Sequence, residues 1–440
     1  MRRRDFLKAA TALAITPALR AGKAQTGAQL LVVKPAAVRL GGRQVQLLTY
    51  QGAFPGPTMR FAEGEEVSFT LVNRLSAETN LHTHGLPISP LVDDPLAIVP
   101  PGEEREYAFT VPPGSAGTYW YHPHRHGQVA QQLFAGLAGA ILITAPWEQE
   151  GEPALAQDEI ALLKDFSLRG TQVAPHMGMD WMNGKEGEII TVNGEIAPRL
   201  VLQKGALRLR FINAANARYF NLRIADLPWQ VIAWDQGILP NSQPSDSLLL
   251  PPGARAEVWI SGLAPGEYQV MNLPYDRGAH QMGMHHNMVS PSPETVMTLV
   301  VPEKFSPLVW PEGLRPLVKL PGPNAEPVRV ELSEDTRNMM NPVFFINGQT
   351  FDPGRVDFRA EKGQVALWTV VNRGDMDHPF HLHTHPFWVG GEGFPRDTVN
   401  LKAQETVELM VPYLHRGKTV FHCHIVEHED RGMMGVLEVV

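Results

Sequence analysis

The chain has 440 residues with Gly 39 and Pro 38, more than 17% of its positions against roughly 12% in an average protein, which excludes a small stapled module and points to many turns between strands. Its net charge is −8; the first 24 residues hold six Lys/Arg against one Asp, so the remainder carries −13, an unfavourable balance for phosphate backbones that excludes nucleic acid as an expected partner. The single cysteine, Cys423, excludes an intrachain disulfide.

In chain order, the first segment reads Arg3-Arg4-Asp5-Phe6-Leu7-Lys8, then an apolar run over 9–19 and small residues at Gly22 and Ala24. It resembles a twin-arginine signal peptide spanning 1–24. The run is too short for a membrane span, so no stable membrane anchor is expected. The resemblance implies passage of the folded protein through the twin-arginine export machinery to the periplasm or the exterior.

Beyond the leader, one pattern recurs three times. Each copy has a glycine turn (Gly52, Gly194, Gly348), a second glycine (Gly64, Gly205, Gly363), and an alternating strand ending in Asn73, Asn213 or Asn372. Nine residues past each asparagine lie His82, Leu222 and His381. A second half begins at Gly117, Gly266 and Gly417, and five residues on are His122, Met271 and His422. Apolar and polar residues alternate between Gly/Pro turns, with Val, Thr, Tyr, Phe and Trp prominent, as in strands of a sandwich or barrel. The spacing predicts an all-β chain of three domains over 28–146, 155–303 and 320–440, separated by Pro-rich linkers that cannot supply a central strand. The outer copies present histidine where the middle copy has Leu222, Ile224, Met271 and Leu273.

Seventeen histidines scattered at random would give less than one His-x-His pair; the chain has six. Residues i and i+2 of a strand share a face, so each pair offers two imidazoles to one side. Imidazole is the commonest protein ligand for zinc, copper and iron. Because four pairs fall at matched places in the outer repeats, half of a metal cluster should come from the first domain and half from the third. In His422-Cys423-His424-Ile425-Val426-Glu427-His428, alternation turns Cys423 away from that cluster, toward His428, Met433 and the upstream His378. A thiolate, two imidazoles and a thioether are the ligands of a blue-copper centre; a Cys/His₂ set alone also suits zinc, but the soft thioether favours copper.

Four motifs, His82-Thr83-His84-Gly85, His122-Pro123-His124, His378-Pro379-Phe380-His381-Leu382-His383 and the Cys423 segment running to Met433, make the chain resemble the multicopper oxidases, in their three-domain, laccase-like branch. The resemblance covers nearly everything after the leader. It implies three cupredoxin-like Greek-key domains and four copper ions. Cys423, His378, His428 and Met433 would bind the type 1 ion, and His82 and His381 the type 2 ion. His84, His122, His124, His383, His422 and His424 would hold the type 3 pair. Single electrons from a phenol, an aromatic amine, Cu(I) or another metal ion would enter at His428 and reduce dioxygen to water. Asp93 and Glu429 occupy positions that resemble the acids family members use to deliver protons.

Two methionine-rich stretches of the middle domain complete the reading: Met177, Met179 and Met182, and Met282, Met284, His285, His286 and Met288. Glycine between the methionines predicts loops rather than a helical stripe, suited to Cu(I) or to a lid over the type 1 edge. His126, His385 and His415 have no matched partner and read as structural or as supports behind the ligands. The reading from another class is an exported copper-sequestering or structural protein without turnover.

Overall fold

The computed structural model describes residues 19–20, 29–224, 227, 229–278, 292–314, 320–338, 341–390 and 393–440. Nearly all of the leader and the stretch 282–288 lie outside them. Six sheets pair into three cupredoxin-like sandwiches. In each, the opening strand runs parallel to the strand that ends in the repeated asparagine: Gln29–Leu40 with Glu66–Asn73, Gln157–Phe166 with Ala206–Asn213, and Val328–Asp335 with Val365–Asn372. Among the described residues no helix is long and apolar enough to cross a membrane.

The asparagine recurs because it closes the same turn three times. The Asn73, Asn213 and Asn372 side-chain oxygens accept the backbone N–H of Leu75, Ala215 and Gly374 at 2.9, 3.0 and 2.8 Å. Their amide nitrogens donate to Ala77, Arg218 and Met376 carbonyls at 2.9, 2.8 and 2.8 Å. A short amide satisfies both sides of a buried turn that would otherwise orphan backbone groups. This fixes the start of the following histidine-bearing strand in the outer copies.

Each sandwich has its own apolar core; that of the third domain gathers Trp368, Phe380, Phe421, Cys423 and Met433. Another cluster spans all three units, joining Val38 and Leu47 to Leu162, Phe166 and Ile212 and to Val426. The first and third sandwiches are thereby held against the middle one, and their histidine edges meet. Met177–Met182 differs from the expected loop, because Gly178–Asn183 is a short helix with Met182 and Asn183 buried. Its glycines stand at its first position and, as Gly184 with φ +78°, just past its end, where glycine costs a helix little.

Candidate metal centre

Strand pairing aims the histidines. His82–His84 runs antiparallel to Gly117–His122 with His82 opposite His122, and His378–Leu382 runs antiparallel to Gly417–Cys423 with His381 opposite His422 and Phe380 opposite Cys423. Opposed residues share a face, so His381 and His422 look into the domain boundary while Cys423 looks into its own domain's core. Across the boundary the two pairs interleave. The His82 ring stacks on His383 with centroids 3.7 Å apart, and His84 stacks on His381 at 3.8 Å.

Eight imidazoles converge there, all buried. His422 Nε2 lies 3.2 Å from His124 Nε2 and 3.0 Å from His383 Nε2, while His424 Nε2 lies 3.2 Å from His84 Nδ1. Ligand atoms of His82, His84 and His122 form a further compact group, as do those of His82, His381 and His383. Burial pushes these imidazoles down, His122 to about 3 and His422 to about 4, and neighbouring rings add to it for all but His422, so the cluster is neutral at physiological pH.

The far sides of the rings are tied. His122 Nδ1 donates to the Pro123 carbonyl at 2.9 Å, His381 Nδ1 to the Asp397 carbonyl at 2.7 Å, and His422 Nδ1 to the Cys423 carbonyl at 3.0 Å. His82 Nδ1 meets Asp93 Oδ2 at 2.9 Å. Carbonyl oxygens only accept, so Nδ1 of His122, His381 and His422 carries the proton and Nε2 a lone pair. Nε2 of His82, His122 and His381 is buried without a hydrogen-bond partner. Orphaned lone pairs converging from rings fixed on their outer side are what a cluster of imidazole-bound metal ions requires.

Behind the cluster, Cys423 Sγ lies 3.4 Å from His378 Nδ1 and 3.8 Å from His428 Nδ1, and all three residues are buried. Burial pushes the Cys423 thiol up, so only a bound cation would stabilise its thiolate there. The Cys423 N–H donates to the Met433 carbonyl at 3.1 Å, and the Met433 side chain shares the Cys423 core cluster. Met434 packs instead with Val420 and Val436. His428 stacks on Phe344 at 4.0 Å, and its Nε2 donates to the Met182 carbonyl at 3.1 Å.

Both predicted acids are buried against imidazoles. Asp93 also accepts from the backbone and hydroxyl of Thr83 at 3.2 and 3.1 Å. Burial raises its carboxyl to about 7 despite those two bonds. Glu429 oxygens lie 3.4 Å from His124 Nε2 and 3.2 Å from His422 Nδ1, at ion-pair distance but off hydrogen-bond alignment. Burial, then Asp430 and Glu427, raise its carboxyl well above the usual range.

Of the methionines, Met177 is exposed, Met179 half-buried and Met182 buried over His428. His126 packs on Phe351, His385 accepts from the Leu414 N–H, and His415 donates to the Pro87 carbonyl; none joins the cluster. Sequence reasoning missed three charged residues. Asp397 accepts from His84 Nε2 at 3.2 Å, Arg255 grips Asp397, and Glu334 lies 3.5 Å from His378 Nε2. A signal for Arg255 existed in the repeat, where a buried arginine replaces Glu104 and Thr406 of the outer copies.

Two multicopper oxidase family models match residues 32–148 and 323–440. The multicopper oxidase of Staphylococcus haemolyticus is 30% identical over 415 residues, covering 89% of this chain and 83% of that protein. The cell division protein FtsP of Edwardsiella tarda is 31% identical over 363 residues, covering 80% of this chain and 74% of that protein. Among solved structures, a multicopper oxidase of Campylobacter jejuni described as a metallo-oxidase superposes with a TM-score of 0.84 at 30% identity, covering 97% of this chain and 94% of that one.

Proposed function

The chain belongs to the multicopper oxidases, and from that premise we propose that it takes single electrons from small reductants at the sulfur site and passes them to dioxygen at the histidine cluster. In this reading Cys423, His378, His428 and Met433 hold the type 1 ion, and His82 and His381 the type 2 ion. His84, His122, His124, His383, His422 and His424 hold the type 3 pair, four coppers in all. Bound there, copper supplies a one-electron carrier at the thiolate and four-electron chemistry at the cluster.

The protein's own part is wiring, orientation and proton supply. The observation that carries the reading is the position of Cys423: its sulfur faces His378 and His428, while its chain neighbours His422 and His424 face the cluster. One covalent segment thus spans both sites, an arrangement that simple copper storage would not need. Asp93, raised to about 7 beside His82, and Glu429, raised by burial beside His124 and His422, are the carboxyls placed to supply protons to a reaction that consumes four of them.

The covering of His428 by the Met182 carbonyl favours a small reductant. A phenol cannot reach that Nε2 without displacing the Gly178–Asn183 helix, whereas the thioethers of Met177 and Met179 on the same segment suit Cu(I). The metallo-oxidase description of the Campylobacter protein agrees with this preference. The leader supports export by the twin-arginine route, with the mature chain divided at 28–146, 155–303 and 320–440.

The test is to load purified protein with copper and follow dioxygen consumption with Cu(I) and with a phenol, alongside copper content and the visible spectrum. About four coppers, an intense blue band and turnover faster with Cu(I) are the expected result. Copper bound without turnover would overturn the oxidase reading and favour a sequestering protein.

A further inference from the structure

The middle domain contributes none of the ligands named above, yet one of its turns touches the cluster. Residues 251–255 are buried throughout, whereas the matching positions of the outer copies, Glu104 and Thr406, are exposed. The turn departs from its counterparts because it is inserted between the outer domains. A Cβ on Gly253 would lie 2.8 Å from the His424 ring, so the glycine backbone sits directly against that imidazole.

Two residues on, Arg255 is fully buried and bridges both outer domains. Its Nη1 and Nη2 donate to Asp397 Oδ1 and Oδ2, each at 2.6 Å, its Nε donates to the Thr118 carbonyl at 3.1 Å, and its own N–H donates to Asp235 Oδ1 at 2.9 Å. Asp397 passes this constraint inward. Its Oδ1 accepts from His84 Nε2 at 3.2 Å and from Thr398 Oγ1 at 2.9 Å, and its carbonyl accepts from His381 Nδ1 at 2.7 Å. The pair also explains Gly85 of the first motif: a Cβ there would stand 2.3 Å from Arg255 Nη2 and 2.5 Å from Asp397 Oδ2.

Resting on the copper assignment above, we propose that Arg255 is a positioning residue for the cluster: through Asp397, whose carboxylate holds the ring of His84 and whose backbone carbonyl holds the ring of His381, a domain without ligands sets how tightly the type 2 ion and the neighbouring type 3 ion are held. A fork of two parallel bonds fixes the carboxylate plane in a way that a lysine ammonium cannot. Partners behind ligating histidines typically change metal affinity roughly 10–100-fold. The Cys423 sulfur faces His378 and His428 on the opposite side of its strand, and that site keeps its ion.

The experiment compares the copper-loaded full chain with Arg255→Lys, Arg255→Ala and Asp397→Asn. Each is measured for circular dichroism, copper content, the blue band and the non-blue cupric EPR signal. Arg255→Lys and Asp397→Asn are expected to keep fold and blue band, to lose most of the non-blue signal after dialysis, and to weaken binding of that ion roughly 10–100-fold. Added guanidinium should restore the signal in Arg255→Ala. A full copper complement and an unchanged non-blue signal in both Arg255→Lys and Asp397→Asn would overturn the proposal. Failure of the parent assignment is seen separately, as a wild-type protein lacking the blue band or the non-blue signal.

Discussion

The backbone carbonyl of Met182 accepts the Nε2–H of His428 at 3.1 Å, so a middle-domain helix covers the ring edge through which a reductant would deliver its electron. Asp180 holds that helix in place, accepting from the Met177 N–H at 2.7 Å and from Lys185 Nζ at 2.6 Å. Asp180→Ala removes both bonds, a loss of roughly 1–2 kcal/mol. The uncovered population should rise about 5–30-fold. Oxidation of a bulky phenol is expected to speed up several-fold while Cu(I) oxidation stays level or falls. Equal changes in both steady-state rates would mean the helix does not gate access.

Glu429 is the acid best placed to feed the cluster, since its carboxyl lies within 3.4 Å of two of the imidazoles and burial raises its affinity for a proton. Glu429→Gln keeps the shape of the side chain but has no acidic proton to give. Reoxidation of the reduced enzyme by dioxygen should slow on the order of 100-fold, with the blue band unchanged. Stopped-flow traces as fast as wild type would remove Glu429 from proton delivery.

Glu334 sets the sulfur site from the other side. Its carboxylate lies 3.5 Å from His378 Nε2 and also accepts the Asp375 N–H at 3.0 Å, in space that exists because residue 374 is glycine. A carboxylate behind a ligating imidazole raises its basicity and stabilises the more positive ion. Glu334→Gln should therefore raise the type 1 reduction potential by on the order of 50 mV, roughly 1 kcal/mol for one electron. Spectroelectrochemical titration of the blue band measures it; a shift downward or none would show that the carboxylate does not act on the centre.

The histidine and cysteine constellation was legible in the sequence because strand alternation and an internal repeat are local patterns. Knowing that His381 and His422 occupy matched repeat positions was enough to place them on one face and Cys423 on the other. The charged residues behind the ligands were not legible, because their partners lie far along the chain: Glu334 stands 44 positions before His378 in the same domain, and Asp397 meets His84 and Arg255 of the other two. Arg255 and Asp397 are 142 positions apart and no periodicity links them. The glycines among the methionines predict a loop over His428, whereas Gly178 opens a short helix there and Gly184 follows it. His428 is likewise buried beneath Met182, a contact between domains that spacing along the chain does not encode.

Acid should unfold the copper-free protein well before it unfolds an average β protein, and the sign follows from which groups dominate. Eight cluster imidazoles, and His126 and His385 beyond them, are held below their ordinary value by burial, so the unfolded chain takes up protons near pH 6.5 that the folded chain refuses. That stability is present above about pH 6.5 and is lost as pH falls toward the folded values, about 3 for His122 and about 4 for His422. Asp93 and Asp430, raised to about 7, Asp235, raised to about 6, and Glu429 act oppositely, favouring the folded state as pH falls through the same window. Each group is worth at most about 1.4 kcal/mol per pH unit, and the imidazoles outnumber the carboxyls, so the net slope follows the histidines. Urea midpoints of the copper-free protein should fall from pH 7.5 to pH 5.5, and His122→Asn should flatten the curve. A midpoint that rises over that interval would show that the carboxyls dominate instead.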